Sequence, residues 1–306
     1  MFTEEERTRA HEVFLEYGPT PRLCINYVRY PAQLEYYHSH RKGELDRLDI
    51  DTLLSAVRLG EDLDMDTKDS DSIILLKRQD AGSADDLHLF HRFTIEPITL
   101  SVKRLLKRQL LKVEMKERLH TYLQISKTHE SRVVASLVFE ALAQCQLQEE
   151  VTLTLTPMVR VQSPGSEENA KWQYQSSSPA GAADPPFLIR FKPMDTAEYE
   201  GSTLEEFQAG VFYVPTPLNQ ITFDSFILVD QILYIFQFTI AASYDIEQGI
   251  MKFFSQVPLR DKLQGAEWRF VFVIPRRSEI VCPESNIKKL KWFWDTARLF
   301  TAEIDL

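Results

Sequence analysis

Two strongly apolar segments each carry a polar side chain that can take part in chemistry. Asp224 lies within ITFDSFILVD (221–230), and Gln237 lies within ILYIFQFTIA (232–241). Burying an unpaired polar group costs about 2–7 kcal/mol, so each position calls for a partner. A short turn predicted at Val229–Gln231 makes the two segments an antiparallel hairpin, in which Asp224 and Gln237 lie roughly opposite one another.

Thr239 extends this pair into an oxygen-rich patch. It follows Gln237 by two positions and therefore points to the same face of the strand. Asp224, Gln237 and Thr239 would then present a carboxylate, an amide oxygen and a hydroxyl, which suit a hard cation such as Mg²⁺. A metal held there could activate water for attack on a phosphodiester. The alternative is structural: Asp224 bonds to backbone or caps a turn, and Gln237 marks an edge strand or a partly exposed face.

Glu140 is a second acidic candidate. It lies in the middle of SRVVASLVFEALAQCQLQ (131–148), where apolar residues cover most of the helical circumference. That pattern predicts a deeply buried helix. Glu140 is therefore either a functional carboxylate or a side chain that extends to solvent at the helix edge.

Length and composition exclude several classes of protein. The chain has 306 residues, of which 44% are hydrophobic, so it can build a sizeable core, and its length suggests two domains. A net charge of −10 argues against a histone-like binder, although it leaves room for a local basic groove. The cysteines are few and widely spaced, which indicates a reduced intracellular compartment. No apolar run is long enough to span a membrane, and the acidic start does not resemble a signal peptide.

The elements predicted around these residues form an α/β pattern. The first third is mainly helical: Thr3 and Glu6 form a capping box that opens a helix, and 97–124 is predicted as one long helix. Strands and helices then alternate. Strands are predicted at 72–77, 87–95, 151–161, 188–192, 210–216, 221–230, 232–241 and 267–275, and helical segments at 202–208 and 245–257.

This order predicts one mixed sheet flanked by helices. We place a mainly helical domain at residues 1–127 and the sheet domain at 128–306, because the polar stretch SKTHESR separates them. Residues 162–186 carry an excess of Ser, Gly, Ala and Pro and are predicted to form a flexible insertion in the sheet domain.

The segment from Gly210 to Ile250 resembles the C-terminal region of fungal Crinkler-type and retrotransposon-hot-spot-type proteins. The resemblance covers roughly residues 128–285, including Phe139-Glu140 and EWRFVFVIP (267–275). It implies a restriction-endonuclease-like, or PD-(D/E)XK, mixed sheet. The order helix with Glu, hairpin, strand with Asp, strand with Q-x-T, helix and strand matches the core of that fold.

Carried over by position, Glu140 and Asp224 match the acidic metal ligands, Gln237 takes the place of the (D/E), and Thr239 takes the place of the Lys. The resemblance implies Mg²⁺ or Mn²⁺ bound by Glu140, Asp224 and Gln237. The Q-x-T form departs from the general motif, because an amide lowers the negative charge at the site and the cation that stabilises a developing phosphate charge is missing. The groups that could substitute for that cation are Lys192, Tyr244 and Lys252.

The N-terminal third resembles the lid at the end of the family's NTPase module. Arg22 in EYGPTPRLCI (16–25) matches an Arg of that region. No phosphate-binding GxxxxGK[ST] or GxGxxG loop is present, so we expect no bound nucleotide and no ATP hydrolysis by this chain alone. A separate NTPase chain is then a conceivable partner.

Two basic stretches are candidates for phosphate contacts. Lys103, Lys107 and Arg108 belong to the helical pattern 97–124, and Lys288, Lys289 and Lys291 adjoin Trp292 and Trp294. The structural alternatives are a solvated helix face and a C-terminal helix whose tryptophans pack into the core.

These observations predict metal-dependent cleavage of nucleic acid, or DNA binding by a nuclease-like domain. Within the family, the implied setting is an intracellular effector that acts in a nucleus. The competing hypothesis is a catalytically inactive scaffold whose acidic surface binds a host or self protein.

Overall fold

The computed structural model divides the chain into two compact units, Met1–Leu142 and Ala143–Leu306. The residues it describes are 3–18, scattered positions from 24 to 54, 74–78, 93–97, 99–161, 171–173, 185–199, 204, 206–215, 223–246, 249–255, 259–283 and 296–305. The predicted domain boundary at 127/128 precedes this division. Most of the predicted insertion at 162–186 lies outside the described residues, as does Arg22.

The first unit opens with helix α1 (Glu4–Tyr17). The Thr3 hydroxyl accepts a hydrogen bond from the Glu6 amide at 3.2 Å, and the Glu6 carboxylate accepts one from the Thr3 amide at 2.7 Å. This capping box is the one predicted from the sequence. Gly18 ends the helix with a φ of 91°, a left-handed value that glycine adopts without a steric penalty.

A two-stranded antiparallel ribbon of β1 (Ile74–Arg78) and β2 (Phe93–Pro97) precedes two helices. These are α2 (Leu100–Lys112) and α3 (Met115–Ile125). The single helix predicted at 97–124 is therefore wrong, because Val113 has an extended ψ of 148° and separates them. Valine is a weak helix former, since its branched Cβ restricts the side-chain rotamers.

Helix α4 (Arg132–Gln148) follows and crosses the division between the units. It is buried around most of its circumference, as the apolar pattern predicts: Val134, Ala135, Val138, Phe139 and Leu142 are each at most 1% exposed. The Ser131 hydroxyl precedes the helix and donates to the Ile125 carbonyl at 2.6 Å.

The second unit contains the remaining elements. In chain order they are β3 (Val151–Pro157), β4 (Val159–Val161), β5 (Lys171–Gln173), β6 (Phe187–Phe191), β7 (Thr196–Tyr199), β8 (Phe212–Pro215), β9 (Ser225–Val229), β10 (Ile232–Phe238), α5 (Gly249–Phe254), α6 (Leu259–Lys262), β11 (Glu267–Pro275), β12 (Val281–Pro283) and β13 (Ala297–Ile304).

Eight of these strands form one mixed sheet in the order β6, β3, β13, β11, β10, β9, β8, β7. Strand β11 is parallel to both β10 and β13, and β7 is parallel to β8, while the other neighbours are antiparallel. Strands β4, β5 and β12 form a small antiparallel sheet. The predicted α/β class with a mixed sheet is confirmed at this level.

The predicted hairpin is strands β9 and β10, which pair antiparallel with Leu228 opposite Leu233 and Phe226 opposite Ile235. The turn consists of Asp230 and Gln231, whose φ values are 49° and 62°. Two positive φ values are what a type I′ hairpin turn requires.

One prediction about the second unit is wrong, and another is tested only in part. The stretch 202–208 was expected to be a helical turn, but Leu204 and residues 206–208 are not helical. The part of the predicted C-terminal helix that carries Trp292 and Trp294 lies outside the described residues, while Ala297–Ile304 is strand β13, inserted between β11 and β3. Pairing with two neighbouring strands outweighs the local helical preference of Ala and Leu at this position.

One face of the central strands packs on α5 through an aromatic cluster, and Leu259 of α6 belongs to the same core. Phe226 contacts Phe253 and Phe254, with ring centroids 5.6 and 5.3 Å apart. Phe254 also lies 5.2 Å from the Trp268 ring of β11. Gln237 lies on this same face, two positions after the core residue Ile235.

Candidate functional site

Asp224 and Gln237 meet at one end of the hairpin. The Asp224 amide donates to the Phe236 carbonyl at 2.9 Å, which continues the strand pairing one residue beyond β9. This register places the Asp224 side chain beside that of Gln237. The predicted juxtaposition of the two residues is therefore confirmed.

The Asp224 carboxylate accepts two short hydrogen bonds through a single oxygen. Its Oδ2 atom lies 2.6 Å from Nε2 of Gln237 and 2.6 Å from the backbone nitrogen of Phe238. Asp224 is half-buried and Gln237 is 7% exposed. Hydrogen bonds to an ionised acceptor are stronger than neutral ones, so this oxygen joins the start of β9 firmly to the end of β10.

The other end of the Gln237 amide is also engaged. The Tyr244 hydroxyl donates to Oε1 of Gln237 at 2.7 Å. Tyr244 is held by its own amide, which donates to the Val281 carbonyl at 3.0 Å, and its ring lies 5.8 Å from that of Phe272. Asp224, Gln237 and Tyr244 thus form a continuous chain of side-chain hydrogen bonds, which we call the Asp224 network.

Thr239 lies next to this network, and it organises the backbone. Its amide donates to the Val273 carbonyl at 3.0 Å, which extends the contact between β10 and β11. Its hydroxyl accepts from the Ala241 amide at 3.0 Å and so stabilises the turn that follows β10. The side chain is 5% exposed.

The Asp224 network does not match the donor set that a divalent cation requires. Mg²⁺ and Mn²⁺ bind oxygen, but Gln237 presents the N–H end of its amide to Asp224 and directs its oxygen to Tyr244. Within the described ranges, no three His, Cys, Asp or Glu side chains are grouped so that they could hold a metal ion.

Glu140 belongs to the first unit, where it forms an ion pair with Lys107 of α2. The two side chains are only 15% and 19% exposed, respectively. A predicted metal ligand and a predicted phosphate-binding residue are therefore partners of each other. The helical pattern of the sequence gives no indication of this contact, because the ion pair joins two different helices.

The remaining basic candidates differ in position. Lys103 and Arg108 are exposed on α2. Lys288, Lys289 and Lys291 lie outside the described residues. The predicted phosphate-binding surface is thus described only for α2, where Lys107 is engaged by Glu140.

A second polar centre of the sheet unit was missed. On the face opposite Gln237, Nε of Arg269 donates to the Glu267 carboxylate at 2.8 Å, and its NH1 group donates to the Tyr234 hydroxyl at 3.1 Å. The guanidinium carbon lies 4.9 Å from the centre of the Phe187 ring and 5.7 Å from that of Phe300, which indicates cation–π contacts. An Arg within the apolar run EWRFVFVIP was the available signal.

At this second centre the pKa values of two side chains are shifted in opposite directions. The hydrogen bond from Arg269 holds the pKa of Glu267 below its ordinary value of 4.5. Burial raises the pKa of Tyr234 above its ordinary value of 10.0, because a phenolate would lose its hydration. Glu267 is therefore held in its charged form and Tyr234 in its neutral form.

No family model, curated protein or solved structure matches this chain. None of the helices in the described ranges combines the length and the apolar character that a bilayer crossing requires.

Proposed function

We propose that the chain is a non-catalytic interaction module built on a restriction-endonuclease-like sheet of the Crinkler type. The observation that carries this proposal is the Asp224 network. Both ends of the Gln237 amide are engaged by protein groups, at 2.6 Å to Asp224 and 2.7 Å to Tyr244. Two of the three predicted metal ligands, Asp224 and Gln237, thus bond to each other, and the network serves the fold.

The sheet topology supports the restriction-endonuclease-like part of the proposal. Strands β8, β9 and β10 run antiparallel in sequence, and β11 then lies parallel to β10 after the crossover that contains α5 and α6. Asp224 and the Gln237-x-Thr239 sequence stand at the ends of adjacent strands in this arrangement. That order of elements is what the sequence resemblance implies.

The expected partner is a protein with a basic surface. The chain has a net charge of −10, which repels the phosphate backbone of nucleic acid and favours a positively charged partner. The Lys107–Glu140 ion pair further reduces the positive charge that α2 can offer to phosphate.

Thermal melts with EDTA and with Mg²⁺ or Mn²⁺, on the wild type and Asp224→Ala, test the non-catalytic state. A cation that binds the native state raises the melting temperature by mass action. We expect no metal-dependent rise in the wild type. Asp224→Ala should lower the melting temperature equally with and without metal, because two donors lose an acceptor at a cost of about 1–3 kcal/mol each. A rise confined to the wild type would contradict the proposal.

Metal-dependent phosphodiester cleavage is the second candidate function. It is favoured by the meeting of Asp224 and Gln237 on adjacent strands, next to the buried Thr239. Incubation with single- and double-stranded DNA and RNA in Mn²⁺ distinguishes the two candidates. Cleavage that Asp224→Ala abolishes while the fold is retained would replace the first proposal with this one.

A further inference from the structure

We infer that Tyr244 is a positioning residue that orients the Gln237 amide and thereby keeps divalent cations away from Asp224. This inference rests on the proposed function and deepens it, because it names the residue that closes the site. The geometry that points to it is the hydrogen bond from the Tyr244 hydroxyl to Oε1 of Gln237 at 2.7 Å.

The orientation follows from the donors and acceptors available. An amide side chain has a donating end and an accepting end, and a phenol at neutral pH can donate its proton. When Tyr244 donates to Oε1, the Nε2 group must point the other way, and it lies 2.6 Å from Oδ2 of Asp224. A cation near Asp224 would then face an N–H group in place of a second oxygen.

Tyr244 can impose this orientation because its own position is fixed by other contacts. Its amide donates to Val281, whose amide in turn donates to the Ala242 carbonyl at 2.9 Å. Ser243 forms a parallel bridge with the same Val281. The Tyr244 ring rests against Phe272, which is fully buried. The phenol is thus carried by a segment anchored at the start of β12.

Removing the hydroxyl should release the amide. In Tyr244→Phe, Oε1 of Gln237 loses its donor while the ring and its packing remain. The amide can then turn its oxygen towards the Asp224 carboxylate. The two oxygens repel each other in this arrangement unless a cation lies between them. A carboxylate and an amide oxygen are the kind of ligands that Mn²⁺ and Mg²⁺ accept. The variant should therefore gain a divalent-cation site that the wild type lacks.

The experiment compares melting temperatures in EDTA and in about 10 mM Mn²⁺. We expect the wild type to show no difference and Tyr244→Phe to melt about 2–4 °C higher with Mn²⁺. The double variant Tyr244→Phe/Asp224→Ala should lose this rise. Tyr213→Phe is the matched control, because it removes another buried hydroxyl, one that accepts from the Gln208 amide at 2.8 Å. If the role of Tyr244 is purely structural, Tyr244→Phe will melt at a lower temperature than the wild type, by the same amount in EDTA and in Mn²⁺.

Gln237→Glu is a positive control for cation binding beside Asp224, with Tyr244 left in place. It replaces the N–H end of the amide with a second carboxylate oxygen, so a rise with Mn²⁺ is expected here too. If Tyr244→Phe does not respond to Mn²⁺, the inference is overturned and the non-catalytic proposal stands, whether or not Gln237→Glu responds. If the wild type itself responds and Asp224→Ala does not, the proposed function fails instead.

Discussion

Asp224 and Gln237 have side chains of a type that suits metal binding, and here they bond to each other. A carboxylate in an apolar strand is costly unless donors surround it. Here one oxygen of Asp224 accepts from a side chain and from the backbone, both at 2.6 Å. An amide at position 237 can donate to that oxygen, which a second ionised carboxylate could not do. The Gln that departs from the nuclease motif is therefore the residue that suits this network.

Glu267 gives a pH-dependent contribution to stability. Because Arg269 holds the pKa of Glu267 below 4.5, the folded state binds fewer protons than the unfolded state near that pH. The contribution is present above pH 4.5 and is lost as the pH falls through the folded-state pKa. We expect the difference in unfolding free energy between wild type and Glu267→Gln to be constant near neutrality and to shrink below about pH 4.5.

Urea unfolding between about pH 3 and pH 7 measures this difference. Glu198→Gln, on an exposed position of β7, is the matched control for the change in net charge. Parallel pH profiles for wild type and Glu267→Gln would refute the assigned role of Arg269.

At the scale of elements, the β9–β10 turn contains avoidable strain. Gln231 has a φ of 62°, a conformation that costs a residue with a Cβ about 1–2 kcal/mol. Its carbonyl accepts from the Glu267 amide at 2.9 Å, a contact that any residue type can keep. Gln231→Gly should therefore stabilise the protein by about 0.5–1 kcal/mol, after allowing for the greater flexibility of unfolded glycine.

Chemical denaturation of Gln231→Gly and Gln231→Val measures the effect of the turn. The valine variant serves as the opposite control, because a β-branched residue tolerates a positive φ poorly. It should unfold at a lower denaturant concentration than the wild type. Equal midpoints for the glycine and valine variants would show that the turn conformation is not strained.

The hairpin and its polar pair could be predicted from the sequence because both are local. Strand β10 follows β9 after two residues, so counting outward from the turn places Gln237 opposite Asp224. The Lys107–Glu140 ion pair could not be found this way, since it depends on how two helices pack. Strand β13 was missed for a similar reason: its two partners are distant in sequence, and no local pattern identifies them.

At the scale of the whole molecule, net charge limits what the protein can bind. With a net charge of −10, and with Lys107 paired to Glu140, we expect weak binding to nucleic acid. For a short DNA duplex at physiological salt, the Kd should be no tighter than about 10⁻⁴ M. Fluorescence anisotropy across a salt series measures it.

The variant Lys103→Ala/Arg108→Ala should leave this weak binding unchanged. Both side chains are exposed on α2, so their removal should disturb the fold little. Tight binding to DNA would instead support a nucleic-acid function. In that case the slope of log K against log salt concentration should fall by about one for each cation removed.

The position of strand β13 has a consequence for the protein during synthesis. Among the described strands, β13 is the one that connects β3 and β6 to the strands from β11 to β7, although β13 follows all of them in the chain. Its pairing with β3 joins Thr156 to Thr301. During synthesis on the ribosome, the strand edges that pair with β13 therefore stay unpaired until residues 297–304 emerge. Protection of those edges by chaperones should matter most in this interval, because unpaired strands aggregate readily.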